Sequence, residues 1–364
     1  MHITKTILAA AISVLIGNHA YAISESTQDQ TGTDNYAEVM QQGDENNITQ
    51  RQNGTANTAY TEQNGFGLTA QSDQVGSGNS STIEQTGLNG EASVTQMGID
   101  NLATIRQSSG EVGNSAVISQ VGVSNQAAIE QRNGEASSAA ISQNGTNNAT
   151  ELSQNGTSTH YNGIQNGDGN TAYVEQTRNA SAEVYQSGTA NLVTLTQDGL
   201  PFGATASISQ TGTGNEATLD QRSPGRYASG VVQLVQIGTD NVADIFEISG
   251  FGSFSYTQDG IGNSLTARQD GRATSVDGRS TGNYNRVDIQ QDFDGSSLVI
   301  EQNGTANEID AIQAGQQRSG VIEQTGSENY ASLVQMGGIE SVPLYDAVIM
   351  QNGTGNSAFV TQGQ

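Results

Sequence analysis

The amino-acid sequence predicts an all-β fold, a β-solenoid of about 15 coils. Each coil is a strand, an arc and a second strand spanning about 22 residues, and two parallel sheets face each other in an amyloid-like stack. Three observations predict it. Glutamine recurs every 11 residues at Gln30, Gln41, Gln52, Gln63, Gln74, Gln85, Gln96 and Gln107, and the series continues with short insertions to Gln362. Within each unit, amide and apolar residues alternate with charged and hydroxyl residues, which is the two-residue period of a strand. A glycine stands two residues after the first ladder position of every coil, from Gly32 to Gly353, where a tight reversal calls for backbone freedom.

Composition narrows the alternatives. Only 33% of the 364 residues are hydrophobic and 5% aromatic, against about 45–50% apolar in an ordinary domain, so one large core and an ordinary globular enzyme are excluded. The formal net charge is −25 with a single lysine, Lys5, which argues against nucleic acid and anionic lipid as partners. There is no cysteine, so durability has to come from something other than disulfides.

Taken in chain order, residues 1–22 read as a secretory signal peptide: a charged start, an apolar run over residues 7–16 and the small-residue site Ala20-Tyr21-Ala22, with cleavage between Ala22 and Ile23. That run is too short to span a membrane, and no later segment approaches the roughly 20 apolar residues required, so membrane insertion is not expected. Residues 23–364 form the repeat. Each unit reads Asn or a small residue, x-Ala-x-Ile-x-Gln, then x-Gly-x-x, as in Asn101-Leu-Ala103-Thr-Ile105-Arg-Gln107 and Asn125-Gln-Ala127-Ala-Ile129-Glu-Gln131.

Units alternate in kind. Asn opens every second unit, fifteen of fifteen, among them Asn35, Asn79, Asn125, Asn148, Asn307 and Asn356, whereas the others open with residues such as Ser24, Leu68, Gly90 and Thr159. Two strands therefore make one coil. Within a coil the ladder positions are always 11 apart; from one coil to the next the spacing varies from 10 to 16. One arc is fixed and the other absorbs length. Pro201, Pro224 and Pro343 all fall in the longer connections, where a missing N–H does not interrupt a ladder.

The predicted inner face carries Asn, Ala, Ile and Gln. In the Asn-type strands the fourth-offset residue is Val, Ile or Leu in twelve of fifteen coils, and two exceptions, Ala267 and Ala311, follow Leu265 and Ile309, which keeps the layer volume. Coils stacked about 4.8 Å apart bring like residues together, so Asn and Gln form hydrogen-bonded columns that satisfy amides costly to bury alone. Outward Glu38, Glu62, Glu84, Glu130 and Glu175 limit side-to-side sheet contacts. Three early strands have weak interiors, Ser26/Gln28, Ile48/Gln50 and Ala70/Ser72, so this end is expected to fray most. The repeat runs from Ser24 to Gln362. It predicts polymerisation edges at Ser24 and Gln30 on one side and at Asn356 and Gln362 on the other, open to head-to-tail addition.

These residues resemble the curlin repeat of bacterial curli, the functional amyloid fibres of biofilms, whose motif is Ser-x5-Gln-x-Gly-x-x-Asn-x5-Gln. Ser24, Gln30, Gly32, Asn35 and Gln41 match it, as do Ser137, Gln143, Gly145, Asn148 and Gln154, and Ser296, Gln302, Gly304, Asn307 and Gln313. The same positions recur in phase at Gly76, Asn79 and Gln85 and at Asn125 and Gln131. The resemblance implies a non-enzymatic, cofactor-free structural subunit, exported through a curli-type secretion channel with its chaperone. It would assemble with itself from a nucleator subunit into extracellular cell-surface fibres for adhesion and biofilm matrix, in contact with matrix polysaccharide. Nucleating curlins end in an irregular basic repeat, whereas residues 356–362 are regular and uncharged, which points to a major-subunit role. The rival is a monomeric β-solenoid surface protein binding polysaccharide or ice through a flat face; ice calls for regular Thr-x-Thr rows, which the outward positions lack.

Other candidates carry less. His160 stands alone beyond residue 22, too little for a triad or metal site. Acidic arcs at Asp34, Asp44-Glu45 and Asp100 hint at calcium without the Gly-Gly-x-Gly-x-Asp pattern that binds it. Asn-Gly-Thr at Asn53, Asn144, Asn155, Asn303 and Asn352 has the form of a glycosylation sequon, but is also simply the arc of the repeat. Tyr60, Tyr173, Tyr185 and Tyr256 are candidate sugar-stacking platforms.

Overall fold

The computed structural model describes residues 24–199, 203–222, 230–337 and 345–363. The signal-peptide reading with Ala22 and Ile23, and all three prolines, lie outside the described residues. The chain is an all-β solenoid with thirty strands and no helix among the described residues. It divides into two compact units, one ending at Asn170 and one beginning at Thr171.

In the first unit, β1 (Glu25–Thr33), β3 (Asn47–Thr55), β5 (Thr69–Ser77) and each later odd strand to β13 (His160–Asp168) form one parallel sheet. The even strands, from β2 (Tyr36–Gln42), β4 (Thr58–Phe66) and β6 (Ser80–Leu88) to β12 (Ala149–Asn155), form the other. Register is like on like: Gln30 pairs with Gln52 and Gly32 with Gly54, while Gln41 pairs with Gln63. Parallel pairing with a 22-residue step leaves each strand joined to its like, with the intervening strand placed in the facing sheet.

The second unit repeats the plan. Its even strands run from β14 (Thr171–Thr177) to β30 (Ser357–Gln362) and its odd strands from β15 (Ala180–Thr189) to β29 (Tyr345–Thr354). Insertions leave the register intact: Gln324 still pairs with Gln351, 27 residues away, because the extra residues lie in the variable connection.

Side chains alternate as a half-buried strand requires. In β6, Ser81, Ile83 and Gln85 are buried while Thr82 and Glu84 face outward. The inner positions of both sheets supply the core, for example Ile83, Ile105 and Ile129 in the first unit and Leu195, Leu219 and Ile245 in the second. Leu265 with Ala267 and Ile309 with Ala311 are all buried. Burying each such aliphatic chain stabilises the coil by about 1.5–3 kcal/mol.

Two tyrosines depart from the small-Ala, large-Ile rule. Tyr161 sits at the alanine position and is fully buried; a Cβ on Gly163, two residues on, would collide with its ring. Tyr256 is fully buried at the isoleucine position, and its ring covers Gly278 one coil on. In each case a missing side chain makes the room, so total volume is held. Tyr256 is therefore a core residue and is corrected from the set of candidate sugar platforms, whereas Tyr173 and Tyr185 are exposed.

Candidate assembly site

The fixed arc is built by three residues. Its glycine is needed twice over. At Gly54, φ is +137°, and a Cβ there would run into the carbonyl oxygen of Gly76 one coil on; the same overlap recurs at Gly32, Gly76, Gly145 and Gly304. Two residues later the chain passes through the left-handed region, at Asp34 (φ 57°), Ala56 (φ 57°), Asp100 (φ 55°), Asn147 (φ 55°) and Ala306 (φ 55°). An L-residue pays roughly 1–2 kcal/mol for that conformation, so the arc holds it through neighbouring bonds such as Ala56 N–H to Thr33 O at 3.0 Å.

The third arc residue is the asparagine. Asn57 donates Nδ2 to Asn35 Oδ1 (3.1 Å) and to Gly76 O (3.0 Å), and its backbone N–H also donates to Asn35 Oδ1 (3.0 Å). Each asparagine thus joins its own coil to the one before and to the arc glycine of the one after. The pattern repeats at Asn79, Asn125 and Asn148, and in the second unit from Asn215 through Asn307 to Asn329, while Asn356 keeps the bond back to Asn329 Oδ1. On the other edge, hydroxyls of Ser24, Ser137 and Ser296 donate to the carbonyls of Gly43, Gly156 and Gly315, each at 3.0 Å.

Glutamines form two further columns. In β1 and the strands stacked on it, Gln30 Nε2 donates to Gln52 Oε1 (2.6 Å) and Gln143 Nε2 to Gln165 Oε1 (2.8 Å). In the facing sheet Gln41 donates to Gln63 (3.2 Å), Gln85 to Gln107 (2.8 Å) and Gln131 to Gln154 (2.8 Å). The second unit has Gln302 to Gln324 (3.0 Å), Gln313 to Gln335 (2.9 Å) and Gln335 to Gln362 (2.8 Å). The second amide hydrogen crosses the core: Gln74 Nε2 donates to Thr58 O of the facing sheet at 2.9 Å. An amide inside the columns is thus doubly used, which offsets the cost of burying it.

The columns have opposite sense. Glutamine Nε2 donates forward along the chain, from an earlier coil to a later one, whereas asparagine Nδ2 donates backward to the earlier Oδ1. Among the described residues, Oε1 of Gln30 and Gln41 receive no hydrogen bond, and neither does Oδ1 of Asn356; Gln362 Nε2 donates only to Asp346 O. One edge therefore shows glutamine acceptors beside an asparagine donor, and the other shows glutamine donors beside an asparagine acceptor.

Two ladder positions in the second unit are not glutamine: Glu247 and Ser280, both buried. The Ser280 hydroxyl lies 2.7 Å from the Tyr256 hydroxyl and donates to Gln302 Oε1 (2.9 Å), so the tyrosine fills the shortened rung. Burial pushes the Tyr256 phenol well above its ordinary titration range. Writing out the ladder residues in column order reveals both exceptions; counting the spacing alone does not.

The remaining candidates stay apart. His160 Nδ1 lies 2.7 Å from Ser138 Oγ on the exposed surface, and no three His, Cys, Asp or Glu side chains gather to hold a metal ion among the described residues. Tyr60 donates to Glu62 at 2.7 Å, and that acceptor pushes its phenol up to about 12.

Residues 69–98 match the family model described as the curlin associated repeat. The matched stretch holds Gln74, Gly76, Asn79, Gln85, Gln96 and Gly98, the residues that form the glutamine and asparagine columns and the tight arc. No curated protein shows significant similarity to the chain.

Proposed function

We propose that the chain is a secreted structural subunit without catalytic activity that assembles head-to-tail into curli-like amyloid fibres on the bacterial cell surface, serving adhesion and biofilm matrix. The single observation that carries this reading is the complementarity of the two column ends. Setting the last coil of one copy against the first coil of the next brings Gln351 Nε2 to Gln30 Oε1, Gln362 Nε2 to Gln41 Oε1, and the Asn35 amides to Asn356 Oδ1. Reversing one copy sets donor against donor, so only the polar, non-closing arrangement continues both columns. The curlin associated repeat at residues 69–98 supports the same reading.

By the same likeness, the partners are a second copy of the chain, a curli-type secretion channel and chaperone, and a nucleator subunit. The test is to dilute residues 23–364 out of denaturant and follow thioflavin fluorescence with electron microscopy. The expected result is fibres whose lag phase is removed by a seed of preformed fibre. Monomers that persist at high concentration would instead favour the solitary surface solenoid.

A further inference from the structure

We infer that Glu247 keeps its proton in the folded chain and serves as the donor that continues the glutamine column, so that loss of this proton destabilises the coils around it. In this column of the second unit, Glu247 stands in register between Gln221 and Gln269. It is completely buried, and its Oε1 accepts the backbone N–H of Gly230 at 3.2 Å.

Elsewhere in the column each glutamine Oε1 accepts from the amide one coil earlier: Gln197 from Gln176 (2.9 Å), Gln221 from Gln197 (2.9 Å), Gln291 from Gln269 (3.1 Å). Gln269 Oε1 is the exception, a buried acceptor without a donor. The residue one coil earlier is Glu247. A carboxylate has no hydrogen to offer, and two oxygens facing each other repel. A carboxylic acid has one hydrogen, on an atom that takes the place of the amide nitrogen, and it is nearly the shape of the glutamine it replaces. Burial disfavours the ion in any case.

Among the described residues, the charged groups nearby do not oppose this. On β18 (Glu216–Arg222), Asp220 and Arg222 are paired with each other at 2.6 Å and alternate onto the outer face. Arg268 and Asp270 of β22 (Ser264–Arg272) are paired at 3.5 Å, and they and Asp244 of β20 (Val242–Gly250) also alternate onto the outer face. Across the core, β19 (Val231–Thr239) and β21 (Ser253–Ile261) present one inward titratable group, the neutral Tyr256, and Asp259 of β21 lies at the surface beside Arg279. The connection 223–229, outside the described residues, contributes Arg226 by sequence.

The sign of the pH effect follows. A proton held in the folded chain and released in the unfolded one favours folding fully at low pH, and that benefit declines as pH rises toward the folded titration point. Over that interval the opening equilibrium of β20–β22 rises about tenfold per pH unit relative to a chain without the group.

The direct test is infrared spectroscopy of the full-length chain at neutral pH. We expect a protonated-carboxyl C=O band in wild type that is absent from Glu247→Gln and unchanged in Arg226→Gln. Absence of the band from wild type, or its appearance only in Arg226→Gln, would overturn the inference in favour of an ion pair. Hydrogen exchange of β20–β22 from about pH 5 to about pH 9 is the second readout. The ratio of wild type to Glu247→Gln should climb with pH, and a flat ratio would also overturn it.

Discussion

The interiors of the first coils and of residues 215–335 are built on the same backbone with opposite chemistry. Early in the chain the core is polar: Gln28 donates to Gln50 (3.0 Å), Gln50 donates to Thr61 Oγ1 (2.9 Å), and the Ser72 and Ser81 hydroxyls meet across the sheets at 2.9 Å. In the later stretch the corresponding inner positions are Leu219, Leu234, Ile245, Phe254 and Leu265, all essentially inaccessible. Register is equally strict in both. The amide columns and arc glycines therefore set the alignment of coils, while the apolar filling sets how hard each coil is to open.

The largest expected effect probes the apolar side of that contrast. Leu219→Ala should cost about 2–5 kcal/mol, the range for truncating a packed aliphatic chain, read as a drop in the denaturant midpoint or as faster exchange of β18. On the polar side Thr61→Ala removes one acceptor of the buried Gln50 amide, and should cost about 1–3 kcal/mol. A fall at Thr61 as large as that at Leu219 would erase the distinction between the two interiors.

Hydrogen exchange of the unmodified chain gives the next comparison. The amides of β1–β6 should exchange faster than those within residues 215–335, because fewer apolar groups must be exposed to open them. Equal protection would show that the columns alone determine stability. Replacing both members of the Ser72 and Ser81 pair by alanine should be nearly neutral, since no buried polar atom is left unmatched, whereas either single change should destabilise.

The smallest effect lies outside the core. Asp294 accepts from Arg272 Nε (2.9 Å) and Arg272 N (2.8 Å), and the guanidinium holds its carboxyl below the usual range. A lowered titration point means the contribution is present at neutral pH and lost as pH falls below the ordinary carboxylate range toward the folded value. Asp294→Asn should cost no more than about 0.5 kcal/mol at this partly exposed site, and the difference from wild type should vanish in acid.

Much of this structure is legible in the sequence because each column admits one kind of residue. A glutamine column bonds only if every rung carries the amide, and Gly76 cannot change while Gly98 O lies where its Cβ would be, so period and phase survive insertions. The left-handed residue before each asparagine is not legible, because Asp34, Ala56, Ser124, Tyr284 and Glu328 all fill it. The conformation is imposed by the arc and does not depend on one residue type. Buried Tyr161 and Tyr256 are hidden for a different reason: what makes room for Tyr256 is Gly278, on another strand. Glu247 differs from glutamine by one heavy atom, and its meaning appears only when Gln269 is placed beside it.

The most direct measurement of how copies join uses the absence of cysteine. In a coil-on-coil junction continuing the columns, Thr361 of one copy lies in register beside Met40 of the next, both on the outer face. Met40→Cys and Thr361→Cys chains are prepared separately, mixed, assembled and oxidised. This junction predicts mixed disulfides between the two chains, within the roughly 4.4–6.8 Å Cα separation a disulfide requires, and none when either chain is assembled alone. Like-with-like crosslinks, or fibres that form without the mixed product, would contradict it.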